Sequence, residues 1–151
     1  MKEHGTSDAP GKGFILVLSG LAVIALFVFG FWGRPGKAKL YFADRYNKAL
    51  TVETRDAPLL GSMEERAQEL MSDLLLGPME PNNQPLIQGD ARLGTVMRRG
   101  AILNVDIEIV DLVGQKLPFG LVKRAIEQSL GESVPGAGRL DLYINGHKID
   151  G

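Results

Sequence analysis

Residues 14–32, FILVLSGLAVIALFVFGFW, form an unbroken run of 19 residues without a charge. As a helix this run would be about 28 Å long at ~1.5 Å per residue, close to the ~30 Å hydrocarbon core of a bilayer. A helix satisfies its own backbone hydrogen bonds in lipid. Only Ser19, Gly20 and Gly30 fall short of strongly apolar character, and Phe31 and Trp32 stand at the far end, where interfacial aromatics are favoured. The run predicts one transmembrane helix over 14–32, with a tail over 1–13 before it and a Gly/Pro linker over 33–37 behind it. The alternative of a buried core helix calls for a polar face, and this run has none. A cleaved signal peptide calls for an apolar stretch of only ~7–15 residues and an A-x-A-like site. Here the chain continues as Gly33-Arg34-Pro35-Gly36-Lys37. An uncleaved anchor is the expectation.

The remaining residues, 38–151, suffice for one small domain. They carry 13 basic and 16 acidic side chains. A net charge of −3 offers nucleic acid no basic stripe, so no nucleic-acid partner is expected. The chain has no cysteine, which excludes disulfides and a lipid-bearing cysteine and leaves the compartment undecided. Orientation is contested by charge. Lys2 and Lys12 are balanced by Glu3 and Asp8 before the run, whereas Arg34, Lys37 and Lys39 follow it. A literal positive-inside count would put the C-terminal domain in the cytoplasm.

Behind the linker the periodicity changes to that of a folded domain. Leu40 and Phe42 alternate with Lys39 and Tyr41 as a first strand, and 44–48 reads as a turn. In Leu50–Arg55 a second strand follows, with Leu50 and Val52 expected on one face. Ser62-Met63-Glu64-Glu65 is a capping box that opens a helix. Ala67, Leu70, Met71, Leu74 and Leu75 form its apolar stripe, and Gly77-Pro78 stops it. Residues 79–90 read as a connection. Arg92–Arg98 and Ala101–Val110 read as strands joined at Arg99-Gly100. In the second of them Leu103, Val105, Ile107 and Ile109 face one way. Leu117-Pro118 leads into a second helix over 119–130, with Val122, Ala125, Ile126 and Leu130 inward and Gly131 as its cap. Leu140, Leu142 and Ile144 mark a last strand, closed by an Asn145-Gly146 hairpin turn with Ile149 returning beside it. The order is β-β-α-β-β-α-β. It predicts an α+β two-layer sandwich with both helices on one face of a sheet.

Motifs of catalysis are missing. There is no cysteine nucleophile, no G-x-S-x-G, no glycine-rich phosphate loop and no metal-ligand spacing, so neither an enzyme nor a cofactor is expected. His4 lies in the tail and His147 in a hairpin, neither with an evident partner. Asp106 and Glu108 share a strand face and could act as paired carboxylates, but any solvent face of a strand shows that spacing. Arg98 and Arg99, at a charged turn, are the candidate interaction residues, for an acidic partner or an anion.

The pieces Lys39-Leu40-Tyr41-Phe42, Leu74-Leu75-Leu76-Gly77-Pro78, Leu93 to Ile107 with the Gly100 turn and the run Val105-Asp106-Ile107, and Leu140 to Gly146 resemble the GerMN domain in order and spacing. That family occurs in bacterial spore-formation and germination proteins and in some lipoproteins. The resemblance spans about Lys39 to Ile149. It implies a non-catalytic, extracytoplasmic module similar to the ring-building modules of membrane assemblies. Such a module would bind another envelope protein or associate weakly with itself, and it carries no catalytic residues over. The expected location is the bacterial cytoplasmic membrane, with the C-terminal domain outside the cytoplasm. The alternatives are a small-ligand or cell-wall-sensing domain, marked by a deep apolar pocket with convergent polar groups, and a hydrolase, marked by perturbed carboxylates in a cleft. The anchor itself is checked by alkaline carbonate washing: the full chain is expected to stay in the membrane pellet, and its release into the supernatant would rule out a span.

Overall fold

The computed structural model describes residues 20, 21, 23, 24, 36–46, 49–57 and 61–150. The chain divides between Pro35 and Gly36 into two units. In the first, Gly20, Leu21, Val23 and Ile24 are helical and exposed. The rest of the expected span, the tail and residues 33–35 lie outside the described residues. Among the described residues no helix is long and apolar enough to cross a membrane.

The second unit is α+β. It runs β1 (Gly36–Asp44), β2 (Leu50–Ala57), α1 (Met63–Leu76), β3 (Asn83–Gln84), β4 (Ala91–Arg99), β5 (Ile102–Ile109), α2 (Phe119–Ser133), β6 (Arg139–Ile144) and β7 (His147–Lys148). β1 begins at Gly36, inside the stretch read as linker. The short β3 falls in the expected connection 79–90 and pairs with the end of β1 at Ala43 and Asp44.

The strands form two sheets and not the single sheet expected, in the orders β2-β1-β3 and β4-β5-β6-β7. β1 and β2 pair antiparallel without interruption from Gly36↔Ala57 to Ala43↔Leu50. β4 and β5 are antiparallel with a bulge at Gly94. β5 and β6 are parallel, so α2 is the crossover that parallel strands require.

Beyond the two residues paired with β3, that edge of β1 is occupied by a helix. Lys39 N–H donates to Ser133 Oγ at 2.7 Å, and Tyr41 N–H donates to Ser129 Oγ at 2.9 Å. Ser133 Oγ in turn donates to the Lys39 carbonyl. Serines four apart on α2 thus supply what a neighbouring strand would supply to residues two apart on β1. The same bonds explain why α2 runs through the expected cap at Gly131 to Ser133: its last turn is held by β1.

One core serves both sheets. Leu40 and Phe42 of β1, Ala67, Leu70, Met71 and Leu74 of α1, Leu103, Val105 and Ile107 of β5, Val122, Ile126 and Leu130 of α2, and Leu142 of β6 are all buried in it. The helical stripes and the β5 and β6 alternations are those expected from periodicity. Strand β2 is inverted. Val52 is 51 % exposed, whereas Glu53 is buried, so the inward face is Thr51-Glu53-Arg55. Polar bonding decides this face, as described below.

Two glycines separate backbone demand from helix propensity. Gly138 has φ +64, and a Cβ there would lie 2.4 Å from the Ala101 carbonyl oxygen, where β6 comes in beside β5. Gly131 lies within α2, and a Cβ there would meet nothing within 4 Å. Gly138→Ala is expected to destabilise the domain by about 2–4 kcal/mol through strain and clash. Gly131→Ala is expected to stabilise it by up to about 1 kcal/mol. Melting temperatures of the two variants check this; a Gly138→Ala protein as stable as wild type would refute the close approach.

Candidate functional site

The densest polar cluster lies at Glu53. Alternation in β2 turns its side chain inward, and it is 7 % exposed. Its Oε1 accepts from Glu80 N–H at 3.0 Å and Asn83 Nδ2 at 2.9 Å. Its Oε2 accepts from Met79 N–H and Arg55 Nη2, both at 3.0 Å. Burial pushes the Glu53 carboxyl up, but the bonds from Met79, Asn83, Glu80 and Arg55 outweigh burial and hold it below the ordinary carboxylate value. Arg55 also donates to the Gly77 carbonyl at 2.6 Å and the Asp73 carbonyl at 3.3 Å, and it stacks over the Phe42 ring at 5.4 Å. These carbonyls end α1 and have no helical partner of their own. The cluster therefore fastens the end of α1 and the approach to β3 onto β2. It is a structural charge pair, sealed by backbone.

Two further carboxylates are held by cations. Glu132 on α2 accepts from Tyr41 Oη and from Lys39 Nζ, and these bonds lower its pKa. Asp141 on β6 accepts from Lys148 Nζ at 2.8 Å and Arg139 Nη2 at 3.4 Å, with the Lys148 bond the main cause that holds it low.

Asp106 and Glu108 do share the face of the second sheet that points away from the helices. They do not act as a pair: Asp106 Oδ1 accepts from Gly146 N–H at 3.1 Å, and Glu108 lies across from Arg92. Turn residues Asn145 and Gly146 have φ of 49° and 78°, as the hairpin requires. Asn145 also bonds both backbone groups of Ile109 through its side chain. His147 is exposed on β7, and His4 lies outside the described residues. No group of three or more metal-ligating side chains occurs among the described residues.

Arg98 and Arg99 are neighbours on β4 and so point to opposite faces. Arg98 lies across from Leu103 and donates to the Gly100 carbonyl at 2.7 Å. Arg99 lies across from Ile102 and lines a 270 Å³ concavity on the outer face with Thr95, Met97, Asn104, Asp106 and Tyr143. This concavity is open, and Met97 and the ring of Tyr143 are set among the polar side chains of Thr95, Arg99, Asn104 and Asp106. Asn104 Nδ2 is buried there without a partner. The deep apolar pocket that would mark a small-ligand domain is not what this concavity is. Sequence reasoning missed the Glu53 and Ser129/Ser133 clusters. One signal was readable: opposite charges two apart in a strand share a face, as Glu53 and Arg55 do.

The fold is that of a GerMN domain. The structure of the tandem GerMN domains of the sporulation protein GerM from Bacillus subtilis matches over 77 % of this chain, with a TM-score of 0.55 and 15 % identity. The chain spans 41 % of the length of that tandem structure. The first GerMN domain of the same protein matches over 76 % of this chain and 86 % of its own length, with a TM-score of 0.52 and 16 % identity. No family profile matches the sequence, and no curated protein matches it.

The pH dependence of stability follows from Glu53. Its folded pKa lies below the unfolded value, so its contribution is complete above the unfolded value near 4.5 and is lost as pH falls through the folded one. Glu53→Gln removes a buried charge from Arg55 and is expected to cost about 2–4 kcal/mol at neutral pH. The difference from wild type should shrink as the pH is lowered past that range. Urea midpoints of both proteins at pH 7 and in acid test this, and a pH-independent difference would contradict the assignment.

Proposed function

We propose that the chain is a single-pass membrane protein whose GerMN-like domain lies outside the cytoplasm. There it binds another envelope protein or a second copy of itself, without catalysing a reaction. The observation that carries the non-catalytic reading is the use of the carboxylates. Glu53, Glu132 and Asp141, whose proton affinities the fold shifts, are each engaged in joining elements of the domain. The uncharged run 14–32 supports the anchor, as does the exposure of Leu21, Val23 and Ile24, at 61, 62 and 62 %, which suits side chains meant for lipid. The fold's occurrence in a sporulation protein supports an envelope or sporulation-type assembly as the setting. The outward orientation rests on the same likeness and is set against the local count of Arg34, Lys37 and Lys39.

Arg98 and Arg99 belong to the proposed contact surface. Because they point to opposite faces, single reversals distinguish the two. A C-terminal alkaline phosphatase fusion is expected to be active. The full chain in native membranes should crosslink into larger species, and Arg99→Glu should reduce those species while leaving the melting temperature unchanged. An inactive phosphatase fusion beside an active cytoplasmic reporter would reverse the orientation, and a membrane without any crosslinked species would remove the interaction module.

A further inference from the structure

The edges of the two sheets are protected unequally. β3 and β7 are two residues long, and β4 is broken by the bulge at Gly94 and ends in Arg98 and Arg99. Part of the β1 edge is filled by Ser129 and Ser133. Short strands, bulges, terminal charges and covered edges are all devices against edge-to-edge pairing. β2 has eight residues and neither bulge, proline nor lysine, and its inward charges, Glu53 and Arg55, are neutralised by pairing with each other.

The outward groups of β2 follow from the register. Lys39 and Tyr41 turn their N–H groups away from β2, toward α2. Their partners Thr54 and Val52, and with them Asp56, therefore turn N–H and C=O away from β1. Among the described residues nothing bonds to these groups from outside. All three residues are exposed.

We infer that the open edge of β2 pairs antiparallel with β2 of a second copy, about a two-fold axis at Thr54. This rests on the interaction reading above and adds a second surface, on the first sheet, to the one that carries Arg98 and Arg99. Charge selects the register. With the axis at Thr54, Glu53 stands across from Arg55 of the second copy, and the exposed Val52 stands across from Asp56. With the axis at Glu53 or at Arg55, like charges would face each other. With the axis at Val52, Glu53 would face a threonine. Glu53 and Arg55 are already bonded within their own copy, so pairing strips neither of its partners. The result is a continuous six-stranded sheet, β3-β1-β2-β2-β1-β3. Its interface is isologous, as a two-fold contact must be. Confinement to one membrane raises the effective concentration at which the edges meet.

The described residues contain no cysteine, and neither does the remainder of the sequence, so single thiols report cleanly. Full-length Thr54→Cys in membranes, treated with a short bis-thiol reagent, should yield a dimer. Ser72→Cys, exposed on α1, should stay monomeric. Adding Val52→Glu to Thr54→Cys sets like charges against Asp56 and should abolish the dimer. Adding Asp56→Lys to that pair should restore it, with unchanged protease resistance throughout. A monomeric Thr54→Cys chain that still crosslinks through lysines into larger species overturns the edge pairing and leaves the interaction module standing. A chain that crosslinks by neither route overturns both. Equal dimer at Thr54→Cys and Ser72→Cys, or no rescue by Asp56→Lys, overturns the pairing at this register.

Discussion

The part of the β1 edge that β3 leaves open is joined to α2 by two serine hydroxyls, and the rest of the domain depends on that seam. The N–H of Tyr41 would otherwise be an orphan beside a packed helix, at a cost of about 1–3 kcal/mol, whereas that of Lys39 lies at the exposed end of the seam. Ser129 is fully buried and also donates to the Ala125 carbonyl, so its hydroxyl accepts and donates at once. Because α2 is also the crossover between β5 and β6, the seam ties one sheet to the connection that builds the other. Two sheets with different strand orders thereby share one apolar core.

The second sheet needs little beyond apolar alternation, since β5 and β6 meet the helices with Leu, Val and Ile. The first sheet works differently. Its β2 strand turns a carboxylate inward, where an unpaired charge would be prohibitive. Glu53 is tolerated because Met79, Glu80, Asn83 and Arg55 all donate to it. In the same arrangement Arg55 ends α1 at the Asp73 and Gly77 carbonyls. The outward turn of Val52 follows from this bonding, for a one-residue shift in a strand exchanges its two faces.

The likeness to GerM rests on shape at 15–16 % identity. What such a likeness transfers is the layout of helices and strands, with function left to the surfaces each chain builds on it. Here the surfaces divide by sheet. The outer face of β4, β5 and β6 carries the Arg99 concavity, and the first sheet carries the open edge of β2. The candidate pair Arg98 and Arg99 was legible only as a charged turn. Its division between two faces required the strand to extend through Arg99, one residue beyond the weak alternation from which it was read.

The sequence by itself determined the uncharged run, both helices with their buried stripes, the capping box at Ser62, the Asn145-Gly146 turn and the inward faces of β5 and β6. These are local: a period, a cap or a positive φ depends on residues a few positions apart. Only the tertiary structure decided the division into two sheets, the inversion of β2, the extension of α2 to Ser133 and the pairing of β3. Each of these turns on a polar group whose partner is distant in the chain, Lys39 with Ser133 or Glu53 with Asn83. Hydrophobic periodicity assigns apolar side chains to the inside, but a buried N–H or carboxylate goes wherever its partner stands, and that position exists only once the chain has folded.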